Sequence, residues 1–228
     1  VKVVTGVFFI FITVVLYIGF KKIYERVRMP IFVPVVTTTL LLILLLLVTN
    51  TSYETYMTGG KWINELLGSA VVALAYPLYK YRKKIYHYRL PLFAGVFTGI
   101  LVGFISGFVF VKVAGLNLSY SATFLPKSVT SPIAMDIAAL TGGIPSLAAA
   151  FVVISGIMGA VFGPLVLKIF HIHHYLGIGV GYGSAAHGIG TAKALEYGVE
   201  EAAFSSISMT LSAVVYALIL PMAIHYLL

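Results

Sequence analysis

Leu125-Pro126-Lys127-Ser128-Val129-Thr130-Ser131-Pro132 sets a lysine, two prolines and three hydroxyls inside a chain whose other long stretches read as hydrocarbon-soluble helices. A lysine at the bilayer centre costs about 3 kcal/mol on insertion scales, and broken backbone at that depth survives only where protein buries it or a cavity is lined by it. Pro126 and Pro132 interrupt helical hydrogen bonding on either side of Lys127, and Ser131-Pro132 is a good helix start. The segment therefore predicts a break followed by a half-helix from Pro132 to Leu140, with Ser131 capping its first amides. The partly positive end of that half-helix, with Lys127 beside it, is suited to an anion such as a carboxylate. A kinked structural helix whose lysine snorkels to the interface is the bland alternative. Asp136, one turn in, is placed to pair with Lys127, to relay a proton or to neutralise charge, and pairing is expected first.

Outward from this segment the chain is a membrane protein. Of 228 residues, 60% are hydrophobic and only 10% charged, a balance at which a soluble protein of this size would aggregate. Val3 to Phe20, Ile31 to Val48, Leu90 to Val111, Ile144 to Leu167 and Ala202 to Leu228 are apolar runs near the roughly 20 residues that span a hydrocarbon core. We expect an all-α polytopic helical bundle of transporter type, forming a single integral membrane domain over residues 1–228. The net charge of +8 is not a nucleic-acid footprint, because the basic residues cluster beside apolar runs. Lys21, Lys22, Arg26 and Arg28 follow the first run, and Lys80, Arg82, Lys83, Lys84 and Arg89 precede Leu90, so both loops are expected to face the cytoplasm. Tyr79, Tyr81, Tyr86 and Tyr88 interleave with the second cluster as an interfacial belt against the lipid bilayer. The first run lacks a basic leader and a small-residue cleavage site, unlike a signal peptide. The chain opens at Val1 rather than Met, and a few native residues are expected ahead of it.

Gly68-Ser69-Ala70 is echoed by Gly183-Ser184-Ala185 at an offset of 115 residues, 183 less 68. The same offset lays Ile31–Val48 and Leu90–Val111 over the last two apolar runs, and the first run over the Pro-Lys segment. Two repeats of four elements follow, about 1–114 and 115–228, each with an interrupted third element. Whether they are parallel or inverted turns on how often each half crosses the membrane, which the interrupted segments leave open.

The second polar interruption, Gly177 to Thr191, holds six glycines in its first fourteen residues and a further group of Ser184, His187, Gly188 and Thr191. Gly177-x-x-x-Gly181 and Gly179-x-x-x-Gly183 match a small-residue packing motif. The polar group instead predicts an unwound stretch leading to a half-helix from Ala192 to Tyr197, with His187 binding substrate or moving a proton. A merely structural histidine is the alternative. His171, His173 and His174 follow a helix end with no carboxylate in reach, so no metal is expected. There is no cysteine, no serine-histidine-carboxylate order, no phosphate loop and no carboxylate pair, so neither enzymatic activity nor a cofactor is expected.

Pro126-Lys127-Ser128-Val129-Thr130-Ser131-Pro132-Ile133-Ala134-Met135 resembles the PKSVTTPIAM stretch of the LrgB/CidB family, and within it of the YohK-type bacterial inner-membrane proteins. Gly142-Gly143-Ile144-Pro145, Gly159 to Gly163, His187 to Ala192 and Val71 to Tyr79 carry the likeness along most of the chain. Ala186 departs from it, standing where many members have a serine before the histidine, a hydroxyl that Ser184 can replace. The resemblance implies one of two functions. The first is transport of a small monocarboxylate, as in the plastid glycolate/glycerate translocator, across the bacterial inner membrane. The second is a holin/antiholin-like regulator of murein hydrolase export and autolysis, which oligomerises or binds a small LrgA-like membrane partner. For transport, Lys127 supplies charge, Ser128, Thr130, Ser131, Ser184, Gly188 and Thr191 line the site, and Asp136 or His187 couples a proton or ion. A homodimer is expected, as a fixed partner for a moving half.

Overall fold

The computed structural model describes residues 2–27, 29, 32, 34–73 and 75–227. Arg28 of the first basic cluster, Ile31 at the start of the second apolar run, and Val1, Pro30, Val33, Leu74 and Leu228 lie outside the described residues. The described elements are helices: α1 (Lys2–Val27), α2 (Pro34–Val48), α3 (Tyr53–Ala73), α4 (Ala75–Lys80), α5 (Arg82–His87), α6 (Arg89–Val113), α7 (Leu118–Phe124), α8 (Ser131–Leu140), α9 (Pro145–Ile169), α10 (Tyr175–Ala194) and α11 (Val199–Leu227). A 3-10 turn, Leu125–Ser128, joins α7 to α8. Among the described residues four helices are long and apolar enough to cross a bilayer: Val3–Val27, Arg89–Val113, Pro145–Ile169 and Val199–Tyr226. The second expected span is shorter than the rest. α2 has 15 residues, about 22 Å at 1.5 Å per residue, and closes where Asn50 turns to φ 50° and Thr51 N–H bonds back to Leu46 O.

The chain divides into two compact units, Val1–Ala70 and Val71–Leu228. In the first, α1 and α3 approach backbone to backbone where Gly59 lies against Gly6, and Phe9 meets Tyr56 edge-on at 5.5 Å. Of the leucines of α2, Leu40, Leu41, Leu44 and Leu47 are exposed, whereas Leu42 is buried. Gly68-Ser69-Ala70 does not open a break. α3 runs through it, because one interior glycine costs only about 1 kcal/mol, and its helical backbone is described as far as Ala73.

The second unit has a topology that its contacts define. α6, α9 and α11 are continuous crossings, and two elements between them turn back. His187, at φ 42° and ψ −129°, breaks α10, and beyond it Gly190 lies against the Tyr182 carbonyl with Ala186 Cβ 2.7 Å from where its own Cβ would stand. In an unbroken helix residues 182 and 190 would be about 12 Å apart, so α10 is a hairpin with its tip at His187. α7, the 3-10 turn and α8 form another. Ile144 N–H, just past α8, donates to Thr123 Oγ1 of α7 at 2.8 Å, which closes the base of this hairpin.

The two hairpins enter from opposite faces. The α10 hairpin is rooted where α6 and α11 begin: Tyr175 Oη meets Tyr88 Oη at 2.6 Å, and Phe204 packs on both rings. The α7–α8 hairpin is rooted where α6 and α11 end, with Leu118, Leu140 and Thr141 sharing a cleft with Pro221, Ile224 and His225. Hairpin plus crossing, α7–α9, is thus followed by hairpin plus crossing, α10–α11, in the reverse sense. Residues 115–228 cross twice, an even number, so the inversion falls inside the second half. The basic residues of α4 and α5, with Lys84 paired to Glu200, mark the face where α6 begins. Tyr88 belongs to the core at that end, whereas Tyr79 and Tyr86 stay exposed under the guanidiniums of Arg82 and Arg89.

Candidate functional site

Both hairpin tips reach the middle of the membrane crossings, and α6 is where they meet. Gly95, Gly99, Gly103 and Gly107 repeat every fourth residue and form one bare face of α6. Val180 and Ser184 of the α10 hairpin lie on Gly95 and Gly99, while Ser128 and Tyr216 lie on Gly103 and Lys127 lies on Gly107. A Cβ at any of the four would stand 2.8–3.0 Å from the facing atom, closer than packed carbon allows. This ladder was legible as a run of three overlapping GxxxG motifs inside an apolar span, and the reading of Leu90–Val111 as a plain crossing missed it.

Lys127 is held at this contact. Its Nζ donates to Gly103 O at 3.1 Å and sits 5.1 Å from the Phe124 ring centroid. An ammonium has three donors, so it retains capacity for an anion. The expected pairing with Asp136 does not form. Among the described residues Asp136 has no ion-pair partner. The half-helix turns its face away: Asp136 opens into a cleft of about 490 Å³ between α4, α8 and α11, beside Ile133, Leu140, Thr210 and Ala213.

The half-helix itself spans Ser131–Leu140, one residue longer than expected, and its N-cap is Thr130 rather than Ser131. Thr130 has extended backbone and makes no side-chain cap bond; its hydroxyl is buried without a partner. Ser128 is buried and Ser131 half-buried. Across the contact, Ser184 is 3% exposed and its hydroxyl also has no partner. On α11, Ser208 and Ser212 add two more such hydroxyls, and Tyr216, one helical step further, donates to Ile100 O at 3.2 Å. The sequence signal for these was Ser205-Ser206-Ile207-Ser208-Met209-Thr210-Leu211-Ser212, an alternation of hydroxyls inside an apolar run. Buried hydroxyls are as a rule hydrogen-bonded, and Thr130, Ser184, Ser208 and Ser212 are four that have no partner.

His187 and Thr191 belong to the same hairpin but face elsewhere. His187 Nε2 lies 2.9 Å from Val152 O of α9, and its ring packs on Gly156. Thr191 Oγ1 donates to His187 O at 2.9 Å and meets Ser205 Oγ of α11 at 2.9 Å. Both pin the tip to its neighbours, and Gly188 beside them is exposed, with open space where a Cβ would stand. The expected unwound stretch is a single residue, His187, with the return arm ending at Ala194 rather than Tyr197. The glycines ahead of it serve close packing: Gly179 and Gly183 lie on the α11 backbone at Phe204 and Ser205. His171, His173 and His174 form no metal-holding group among the described residues.

A histidine at φ 42° is strained where glycine is not, by about 1–2 kcal/mol. His187→Ala keeps the strain and loses the bond to Val152, whereas His187→Gly loses the bond alone. His187→Gly is expected to melt above His187→Ala, and thermal melting in detergent of the two variants checks this; equal or reversed order would mean the turn is not strained.

An all-α membrane protein with two opposed re-entrant hairpins meeting beside a crossing helix is the class this fold and site define. A profile of the LrgB-like family matches residues 13–226, and the chain belongs to that family. The protein YxaC of Bacillus subtilis (strain 168) is 46% identical over 219 residues, 96% of this chain and 95% of that one. The holin-like protein CidB of Staphylococcus epidermidis is 37% identical over 96% of each chain, and that of Staphylococcus aureus is 37% identical over 97% of this chain and 96% of the relative. No solved structure matches the chain.

Proposed function

We propose that this protein is a secondary transporter of small monocarboxylates, of the glycolate, glycerate, lactate or pyruvate class, in the bacterial cytoplasmic membrane. The observation that carries the reading is the meeting of two opposed hairpin tips at mid-crossing with one ammonium and unpartnered hydroxyls between them. Opposed hairpins give each face of the membrane its own gate to one central site, the geometry that alternating access needs. Lys127 and the first turn of α8 take the carboxylate, with Ser128, Thr130 and Ser131 as hydrogen-bonding groups. Ser184 approaches from the other tip, and Thr191 and His187 hold that tip in register. Asp136, on the outer face of the hairpin that carries Lys127, is placed for a coupling proton or cation. No catalysis enters this reading.

The name borne by the CidB relatives supports a second reading, a holin-like regulator that assembles with copies of itself or with a small LrgA-like membrane protein. The exposed leucines of α2 suit either contact, and the homodimer is a proposal on the same ground. A regulator has no use for an ammonium and four unpartnered hydroxyls at mid-membrane, and transport is preferred for that reason. Purified protein in proteoliposomes is expected to give saturable uptake of labelled C2–C4 monocarboxylates, driven by an imposed proton or sodium gradient. Absence of saturable flux under every gradient would sink the transporter reading and leave the regulator.

A further inference from the structure

We infer that Gly99 of α6 and Ser184 of the α10 hairpin together form the length gauge of the carboxylate site, fixing how long an acid it admits. The inference rests on the transporter reading and adds the residues that set its substrate range. Lys127 Nζ is bonded to Gly103 O, and Ser128 lies over Gly103, so the carboxylate end of a bound acid belongs at the Gly103 level. Ser184 lies over Gly99, with its Cβ 2.9 Å and its Oγ 3.5 Å from the position a Gly99 Cβ would take. One helical turn separates the two levels, about 6 Å along α6. A four-carbon acid spans about 4 Å from its carboxylate carbon to its last carbon at bond lengths near 1.5 Å. The tail of a C2 acid therefore stops short of Ser184, that of a C4 acid reaches it, and longer chains collide.

The glycine ladder alone would be a packing device, and at Gly95, against Val180, it is one. What distinguishes the Gly99 level is Ser184 itself, almost fully buried and with no hydrogen-bond partner for its hydroxyl. A hydroxyl buried in that state fits a ligand with a polar group at its tail, so the gauge favours acids hydroxylated at the far carbon over plain acids of equal length.

The experiment is equilibrium binding of glycolate, 3-hydroxypropionate and 4-hydroxybutyrate to the purified protein in detergent, read as the ratio of C4 to C2 affinity. Gly99→Ala is expected to lower that ratio at least about tenfold, since the methyl pushes Ser184 into the tail space. Ser184→Gly should raise it, and Gly99→Ala with Ser184→Gly should bring it back towards the wild-type value. Gly95→Ala, which meets Val180 at 2.8 Å, is the control: it is expected to lower the melting temperature and leave the ratio unchanged. If Gly99→Ala does not fold, the Ser184→Gly ratio decides alone. Ratios that stay fixed in Gly99→Ala and Ser184→Gly, or that move equally in Gly95→Ala, overturn the gauge while the transporter reading stands. Wild-type protein that binds none of the three acids overturns both.

Discussion

Lys127→Ala is expected to weaken carboxylate binding by about 30- to 150-fold, the loss of one charge-assisted contact worth about 2–3 kcal/mol, while leaving the fold nearly as stable. The partner it abandons explains the second half of this expectation. Gly103 O also accepts from Ser106 Oγ at 3.1 Å and sits inside a continuous helix, so it is not orphaned when the ammonium goes. With Asp136 unpaired to Lys127, no buried carboxylate is stranded either, and the insertion cost of the lysine disappears. Lys127→Arg should fare almost as badly in binding. The ammonium lies 3.0 Å from the position a Gly107 Cβ would occupy, and a planar guanidinium cannot enter that space with the same reach. Ligand titration and thermal melting of both variants check this. A well-folded Lys127→Ala protein with normal affinity would remove the anion site from this structure.

Gly179→Ala and Gly181→Ala, two residues apart on one helix, are expected to differ by about 3 kcal/mol or more in stability. At Gly179 a methyl would stand 2.6 Å from Phe204 Cβ, 2.7 Å from Glu201 O and 3.0 Å from Ser205 N. Two of the three are backbone atoms of α11, which have no rotamer in which to retreat, so the cost lies at the upper end of overpacking, about 3 kcal/mol. At Gly181 nothing lies within 4 Å, and alanine there gains up to about 1 kcal/mol of helix propensity. In thermal melts Gly179→Ala should fall by the order of 10 °C, with Gly181→Ala at or above wild type. Similar melting of the two would mean that the α10 hairpin is not seated on α11.

Lys127, Ser128, Thr130 and Ser184 were legible as candidate site residues because membrane insertion penalises ammonium groups and unpaired hydroxyls. His187 and Thr191 were legible for the same reason, yet their surroundings were not: whether a histidine meets a carbonyl of α9 or a ligand depends on a neighbour 35 residues away. Glycine is the ambiguous residue of this chain. Gly179, Gly181 and Gly183 look alike in the sequence, but a missing Cβ matters only through what stands opposite it, and that is α11 for two of them and open space for the third.

The amino-acid sequence by itself determined the solvent this protein folds in, four of the five expected crossings and the breaks near Lys127 and His187, though not the one expected at Gly68, since hydropathy, helix-blocking prolines and stranded polar groups are local properties. Only the tertiary structure decided that both breaks in the second half are reversals, that they enter from opposite faces, and that α6 is the surface on which they meet. The sense of a hairpin follows from which end of a neighbouring helix its base packs against, as Tyr175 does on Tyr88 and Thr123 on Ile144. Those contacts join residues as many as 87 positions apart, and no local pattern carries them.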